Sequence, residues 1–205
     1  MGTVDVKRSP SSSTTAAAGA NPGSSLTENA VSGNSSKPRP PRAPINCGDL
    51  DIKIARDGTW FYMGSPIGRQ PLVKLFASVL RREADGYWLV TPAERGRIQV
   101  EDAPFLAVAV DRDGEGAQQR LIFRTNLDEF VTLGPDRPLR VETEADGQPA
   151  PYIEVRDGLE ARLARPVFYE IVEFGVEEPV GDAIEFGVWS QGTFFRLGTP
   201  DADWE

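Results

Sequence analysis

Short segments with alternating apolar and polar residues recur between residues 51 and 197. A period of two is typical of a strand that buries one face, and residues 51–55, Asp-Ile-Lys-Ile-Ala, show it clearly. Residues 105–110, Phe-Leu-Ala-Val-Ala-Val, are apolar throughout and predict a central strand. Together these patterns predict strands at residues 51–55, 59–63, 87–91, 97–101, 105–110, 119–125, 139–144, 151–155, 159–163, 184–189 and 193–197.

Two segments between the predicted strands have helical character instead. In the first, apolar side chains follow the i, i+3, i+4, i+7, i+8 spacing, at Leu72, Leu75, Phe76, Val79 and Leu80. Pro66 or Pro71 suits the first turn of this helix, because a proline there removes no helical hydrogen bond. Residues 167–174 are apolar nearly all round and predict a shorter, buried helix. Two helices among many short strands predict an α+β fold that is mostly antiparallel.

One order of elements, strand, Arg-Asp-Gly turn, strand, proline, helix and strand, occurs twice in the chain. Arg56-Asp57-Gly58 and Pro66 in the first copy match Arg156-Asp157-Gly158 and Pro166 in the second, at identical spacing. Asp-Gly turns are common, so chance is the alternative, but the shared spacing and order favour duplication. The sequence therefore predicts two topologically similar halves of β-β-α-β type that meet at a shared interface.

The first part of the chain differs from the rest in composition. Residues 1–43 are rich in Ser, Ala, Gly and Pro and contain few large apolar side chains. Such a segment cannot bury enough surface to offset a backbone ordering cost of about 1–2 kcal/mol per residue. We therefore predict a disordered tail at 1–43, an N-terminal half at 44–133 with an added β-hairpin, and a C-terminal half at 134–205.

Charge is divided along the same boundary. The chain has a net charge of −9, yet the tail up to Arg42 holds five Lys and Arg against two Asp and Glu. The remainder is therefore the acidic part, and an acidic body repels the phosphates of nucleic acids and of anionic membranes. Residues 38–42, Pro-Arg-Pro-Pro-Arg, fit a stiff solvated linker or a ligand for a proline-binding domain.

No apolar run approaches the length of roughly 18 residues that a membrane span needs. The beginning of the sequence also shows no apolar leader, so we expect a cytoplasmic protein without a membrane span.

The chain contains no histidine and one cysteine, Cys47. This composition excludes Ser-His-Asp and Cys-His triads, histidine-bearing zinc sites and a disulfide framework. A metal site would have to use carboxylates, which suit Mg²⁺ or Ca²⁺ better than transition metals. We therefore expect no bound cofactor and no catalytic residue of the common types.

Three charged residues are candidates for a site. Arg69 lies near a predicted helix start, where the helix dipole does not favour a cation. It either pairs with Glu101 or Asp102 between the halves or binds an anionic ligand. Glu101 and Asp102 are adjacent carboxylates, which suit acid–base chemistry, but adjacent strand residues point to opposite faces. Capping or hydrogen bonding between the halves is the alternative.

Aromatic residues gather on either side of the first predicted helix. Trp60 and Trp88 are the two tryptophans of this set, which also includes Tyr62 and Tyr87. Packing in the core is one role for these side chains, and a platform for a ligand is the other.

Several of these segments also resemble a known family, the bacterial domain of unknown function 1285 (DUF1285). The resemblance rests on Trp60, on Ile-Gly-Arg-Gln-Pro-Leu-Val-Lys-Leu-Phe at 67–76, on Tyr-Trp-Leu-Val-Thr-Pro at 87–92 and on Val-Glu-Asp-Ala-Pro-Phe at 100–105. It covers about residues 47–198, leaving out the tail. It implies two similar halves, of which the C-terminal one is similar to a pleckstrin-homology domain, and a signalling or regulatory role. It implies no catalytic residues.

From the sequence we expect a non-enzymatic binding or regulatory module with a site at the interface of its two halves. Its partner would be a protein or a small anionic ligand, held by Arg69, Glu101, Asp102, Trp60 and Trp88. The alternative is an enzyme that uses carboxylates, with Mg²⁺ as its metal.

Overall fold

A computed structural model describes residues 43–198. The predicted tail, apart from its last residue, lies outside these described residues. The first sheet contains six strands: β1 Ile45–Ile54, β2 Trp60–Tyr62, β3 Ser65–Pro66, β4 Leu80–Glu83, β5 Gly86–Val90 and β6 Glu94–Val100. The second sheet contains six more: β7 Phe105–Asp113, β8 Arg120–Thr125, β9 Phe130–Thr132, β10 Leu139–Thr143, β11 Pro149–Arg156 and β12 Leu159–Leu163.

A smaller antiparallel sheet and two helices complete the described part of the chain. The third sheet consists of β13 Val176–Val180, β14 Ala183–Ser190 and β15 Thr193–Gly198. The helices are α1 Gln70–Ser78, between β3 and β4, and α2 Arg165–Glu173, between β12 and β13. The predicted α+β fold with mostly antiparallel strands in two similar halves is confirmed.

The two six-stranded sheets have one topology. The spatial order is β3-β2-β1-β6-β5-β4 in the first sheet and, read from its far edge, β9-β8-β7-β12-β11-β10 in the second. Each sheet consists of two antiparallel three-stranded units joined at the centre by one parallel pair. These pairs, β1 with β6 and β7 with β12, join the first strand of each sheet to its last. The internal repeat is therefore a whole six-stranded sheet.

This repeat has a different register from the one that the Arg-Asp-Gly turns predict. The turn at 56–58 connects the first two strands of its sheet, whereas the turn at 156–158 connects the last two. The matching of 56–58 with 156–158 is therefore wrong, because similar hairpins occupy different positions in the repeat. The helices are not equivalent either, since α1 lies within the first repeat and α2 follows the second.

The change from one sheet to the other falls between Val100 and Phe105. The predicted boundary between 133 and 134 divides the second sheet, because β7–β9 and β10–β12 belong to the same sheet. The likeness of the C-terminal half to a pleckstrin-homology domain stays a prediction.

Helix α1 begins near Pro71, as expected, but its buried face differs from the predicted stripe. Val73 and Ala77 are buried, whereas Leu75 is 60 % exposed. The helix also ends early, because Leu80 already belongs to β4, where its side chain is fully buried. The predicted apolar stripe therefore included Leu80, a residue of the following strand, because the helix and the strand both bury apolar side chains.

One hydrophobic core joins the sheets and the helices. It includes Trp60 and Leu89 from the first sheet, Phe123 and Ile153 from the second, and Ile171 from α2. Because apolar burial is shared in this way, the two repeats form one folding unit, and the segment between them, at residues 101–104, lies at their junction.

Candidate functional site

The junction between the two sheets carries the adjacent carboxylates Glu101 and Asp102. Glu101 faces the first sheet, where the Lys53 Nζ donates to its Oε1 at 2.8 Å and the Arg56 backbone N–H donates to its Oε2 at 3.0 Å. These two hydrogen bonds, that from Lys53 first, lower the pKa of Glu101 below its usual value. Glu101 thus fixes the chain at the end of β1.

Asp102 faces the second sheet. Its Oδ1 accepts a hydrogen bond from the Tyr152 hydroxyl at 2.8 Å, and its Oδ2 accepts one from the Arg162 Nη1 at 2.7 Å. The Arg56 Nε lies 3.8 Å from the same Oδ2. The Asp102 side chain is only 12 % exposed, so these partners provide the hydrogen bonds that water provides to an exposed carboxylate. The two adjacent carboxylates therefore diverge, Glu101 towards the first sheet and Asp102 towards the second.

Glu144 completes this network from the end of β10. Its Oε1 accepts hydrogen bonds from the Arg162 Nη1 at 2.7 Å and from the Arg56 Nη1 at 2.9 Å. The hydrogen bond from Arg162 is the main cause that lowers the pKa of Glu144, and Arg56 adds to it. We call these residues the junction network: Arg56, Asp102, Glu144, Tyr152 and Arg162.

Tyr152 is the aromatic member of the junction network. Burial, together with the hydrogen bond to the Asp102 carboxylate, raises the pKa of Tyr152 to about 12. Guanidinium groups lie near its ring, with the Arg140 Cζ at 4.3 Å and the Arg162 Cζ at 5.9 Å from the centroid. The hydroxyl therefore stays a hydrogen-bond donor at neutral pH and holds Asp102 in place.

A cleft of about 410 Å³ opens beside this network. Its charged lining includes three arginines, Arg56, Arg162 and Arg165, and two carboxylates, Glu144 and Asp146. Its apolar lining consists of Leu106, Pro149, Pro151, Leu163, Ala164 and Phe168, with Tyr169 at its side. The cleft combines an apolar surface with guanidinium groups from both repeats and from α2, a pattern typical of small-molecule sites.

Helix α2 begins at this cleft. Its N-cap is Ala164, which has no side-chain acceptor, and its first turn contains no acidic residue. The partial positive charge of the helix start is therefore not offset by a neighbouring carboxylate in that turn. Arg165, the first residue of α2, donates from its Nη2 to the Gln148 Oε1 at 2.9 Å and forms no ion pair within residues 43–198.

The sequence-predicted residues do not gather at this cleft. Arg69 is exposed at the N-cap of α1, and its carbonyl accepts hydrogen bonds from the backbone N–H groups of Leu72 and Val73. Its guanidinium forms no ion pair with any described residue. The predicted pairing of Arg69 with Glu101 or Asp102 is therefore wrong, because other cations hold both carboxylates.

The two candidate tryptophans are part of the packing of the first sheet. Trp60 is 1 % exposed and stacks on Phe76 with centroids 6.3 Å apart. Trp88 donates from its Nε1 to the Asp85 Oδ1 at 2.9 Å, and the Arg95 guanidinium lies 4.0 Å from its ring centroid. Neither lines the cleft, so a platform role there does not fit their positions.

Sequence reasoning missed five residues of the site: Arg56, which it treated only as part of a turn, and Glu144, Tyr152, Arg162 and Arg165. Arg162 lies in β12, Leu-Glu-Ala-Arg-Leu, where Leu159, Ala161 and Leu163 form the buried face. The alternation places Arg162 on the opposite face but gives no sign that a second structural layer covers it. Its partners are distant along the chain, so only the fold reveals them.

Within residues 43–198, no group of three acidic or cysteine side chains is arranged to hold a metal ion. Neither of the helices in this range is long and apolar enough to cross a membrane.

Comparison with known proteins places the chain in a family. The N-terminal domain of DUF1285, described as a domain of unknown function, matches residues 40–103. The C-terminal domain of DUF1285, described as a protein of unknown function, matches residues 104–197. The two matches meet where the first sheet gives way to the second. None of the curated proteins compared with the chain matches it.

Two solved structures are similar to this chain. One is a DUF1285 family protein from Silicibacter pomeroyi, with 45 % identity and a TM-score of 0.72, over 82 % of this chain and 91 % of that one. The other is a DUF1285 family protein from Shewanella baltica, with 30 % identity and a TM-score of 0.50, over 60 % of this chain and 91 % of that one. On the matches to both domains and on the first of these structures, the chain belongs to the DUF1285 family.

Proposed function

We propose that this protein is a non-enzymatic binding module, regulatory and signalling-related in role, that takes a small anionic ligand in the cleft beside the junction network. The observation that carries the proposal is the convergence of Arg56, Arg162 and Arg165 on one apolar-lined cleft. Guanidinium groups bind carboxylates and phosphates with directed hydrogen bonds, and an apolar wall excludes the water that would weaken those bonds.

Unused donors in the cleft support this proposal. All the hydrogen bonds of the Arg162 side chain to described residues come from its Nη1, so its Nε and Nη2 donate to no residue of 43–198. Arg165 likewise uses only its Nη2. A guanidinium has five N–H donors, and these two arginines therefore retain donors for a ligand.

The protonation behaviour of the site favours binding over acid–base catalysis. A general base at neutral pH works best with a pKa near 7. The pKa values of Glu101 and Glu144 are shifted down, away from that range, by their cationic partners. The carboxylate-based enzyme that the sequence left as an alternative has no comparable support in this geometry.

A thermal-shift screen of the full chain against small carboxylates, inorganic phosphate, nucleotides, Mg²⁺ and Ca²⁺ tests the proposal. An anion at 100 times its Kd should add about 2.7 kcal/mol to the free energy of unfolding. Arg165→Gln removes one charged donor and should weaken binding by about 1.5–3 kcal/mol. Arg165 is exposed, and Gln148 is the one described residue to which its side chain donates a hydrogen bond, so this variant should fold normally.

Arg120→Gln is the matched control, because Arg120 is also exposed but pairs with Asp113 at the β7–β8 hairpin. It should leave the anion-dependent shift unchanged. The proposal fails if no anion stabilises the protein, or if Arg165→Gln and Arg120→Gln affect the shift equally.

A further inference from the structure

Both arginines of the junction network bind the same atom of Glu144. The Nη1 groups of Arg56 and Arg162 donate to Oε1, at 2.9 and 2.7 Å, and Oε2 accepts no hydrogen bond from a described residue. A carboxylate bound through both oxygens to one guanidinium would have the stronger, bidentate geometry. Glu144 thus binds one N–H donor group of each arginine and leaves other donors of both guanidinium groups without a bond to its carboxylate.

We infer that Glu144 is an internal stand-in for the carboxylate of the ligand, which is an amphipathic monocarboxylate that displaces Glu144 from Arg56 and Arg162. This inference rests on the proposed function of the cleft and adds the chemical class of its ligand. The ligand carboxylate would take the place beside the two arginines that the Glu144 carboxylate holds in this structure.

The charge balance of the network selects a monoanion. Arg56 and Arg162 are balanced by Asp102 and Glu144. When the Glu144 carboxylate moves away, the two arginines face only the carboxylate of Asp102. One positive charge is then left over, and a ligand with a single negative charge neutralises it. The other charged lining residues, Arg165 and Asp146, offset each other. A phosphate dianion would leave an excess negative charge in a partly buried site, which is unfavourable.

The apolar wall of the cleft selects a ligand with a hydrocarbon body. Leu106, Leu163 and Phe168 line the cleft together with Pro149 and Pro151 of β11. Burying hydrocarbon against such side chains yields about 25 cal/mol per Å² of apolar surface. A free inorganic anion has no group that gains this energy, whereas an acyl or aromatic acid has one.

The position of Glu144 allows the displacement. It is the first residue of the β10–β11 turn, where its backbone N–H donates to the Gln148 carbonyl at 2.8 Å and its carbonyl accepts from the Gly147 N–H at 2.9 Å. Rotation of the side chain breaks neither of these backbone hydrogen bonds. Arg162 keeps its hydrogen bond to Asp102 in either arrangement.

Calorimetric titration of the full chain with octanoate tests this inference, with inorganic phosphate titrated in parallel. Glu144→Gln removes the competing charge, so octanoate should bind at least about tenfold more tightly than it binds the wild type. Glu144→Asp keeps the charge but shortens the reach to the two arginines, and should tighten binding by a smaller factor. It also provides a second variant should Glu144→Gln fail to fold.

Glu142→Gln is the matched control for charge. Glu142 lies in β10, two residues before Glu144, is exposed and pairs with Arg140 instead of the cleft arginines. It should leave the octanoate affinity unchanged.

The outcomes separate the inference from the proposed function. If octanoate binds but neither Glu144 variant tightens it, Glu144 is not a stand-in, and the cleft remains an anion site. If phosphate binds and octanoate does not, the ligand class is wrong and the cleft again remains an anion site. If neither probe binds the wild type or a Glu144 variant and the anion screen is also negative, both the inference and the proposed function fail.

Discussion

In both repeats, an arginine on the last strand of the sheet lies beside an aromatic residue on the strand before it, but the two arginines have different surroundings. In the first repeat, Arg95 of β6 lies over the ring of Trp88 in β5 at 4.0 Å and pairs with Glu83 of β4 at 2.7 Å. Its Nε is buried without a hydrogen-bond partner within the described residues. The result is a closed cluster that contributes to packing.

In the second repeat, the corresponding strands carry Tyr152 in β11 and Arg162 in β12, and Glu144 follows β10. Here two residues from outside the sheet, Arg56 and Asp102, join the network, and α2 begins beside it. The same strand arrangement thus becomes a cleft only where a neighbouring repeat and a helix complete it. Shared topology fixes where an arginine can lie, whereas its surroundings decide whether it is structural or available to a ligand.

The largest expected effect comes from removing the arginine of each cluster. Arg162→Leu leaves the Asp102 and Glu144 carboxylates without their main partner, and the Asp102 side chain has little access to water. Breaking such a buried pair costs about 3–5 kcal/mol. Arg95→Leu leaves only Glu83, which is more exposed, and should cost about 1 kcal/mol or less. Urea unfolding of both variants measures the difference.

Equal losses for the two variants would mean that the junction network adds no more to stability than an ordinary ion pair, and the contrast between the repeats would fail.

A smaller effect distinguishes the two Arg-Asp-Gly turns. Gly58 and Gly158 both have positive φ, at 80° and 73°, so alanine is strained by about 1–2 kcal/mol at either position. A Cβ at Gly58 would also lie 2.5 Å from the Asn126 Nδ2 of the second repeat, whereas at Gly158 the nearest atom is 3.7 Å away. Gly58→Ala should therefore cost about 1 kcal/mol more than Gly158→Ala, by thermal or urea unfolding.

If Gly158→Ala proves the more destabilising of the two, the turn at 56–58 does not form the tight contact between repeats that the structure shows. Asn126 strengthens this contact, since it donates to the Gly58 carbonyl at 3.3 Å and accepts from the Leu106 N–H at 3.1 Å.

The sequence pattern predicts the helices and strands of this fold, but not the pairing of strands that are distant along the chain. Periodicity located both helices and most strands, because side-chain alternation follows directly from which face is buried. The repeat itself was inferred from hairpin turns, and Asp157-Gly158 forms such a turn for reasons of local geometry alone. Strand order depends on pairing between distant segments, such as β7 with β12, and no local pattern records it.

The candidate site was predicted only in part. Glu101 and Asp102 were candidates for hydrogen bonding between the halves, and the structure has them in the bend between β6 and β7, where their side chains diverge. Arg69 was selected because it was an unusual cation at a helix start, but an exposed N-cap costs such a residue little. Arg162 looked like an ordinary polar position on a half-buried strand, since nothing local indicates that α2 and Arg56 lie near it.

The last expected effect depends on pH and concerns Tyr152, the aromatic member of the junction network. Its pKa is raised to about 12 from the ordinary value of 10 because burial and the Asp102 carboxylate both oppose a phenolate. A raised folded-state pKa contributes stability that is complete below the unfolded pKa and is lost as the pH rises through the folded one. The wild type should therefore lose stability between about pH 10 and pH 12, beyond what Tyr152→Phe loses there.

At neutral pH, Tyr152→Phe removes one hydrogen bond to a carboxylate and should cost about 1–2 kcal/mol, because Arg162 still binds Asp102. Tyrosinate absorbance provides a second readout, since the component that titrates near pH 12 should be absent from the variant. Trp88 in the first repeat has no ionisable group on its ring, so Trp88→Phe should leave that component in place. A tyrosine titration that is the same in Tyr152→Phe and the wild type would show that Asp102 does not face Tyr152, and the junction network would lose its link to β11.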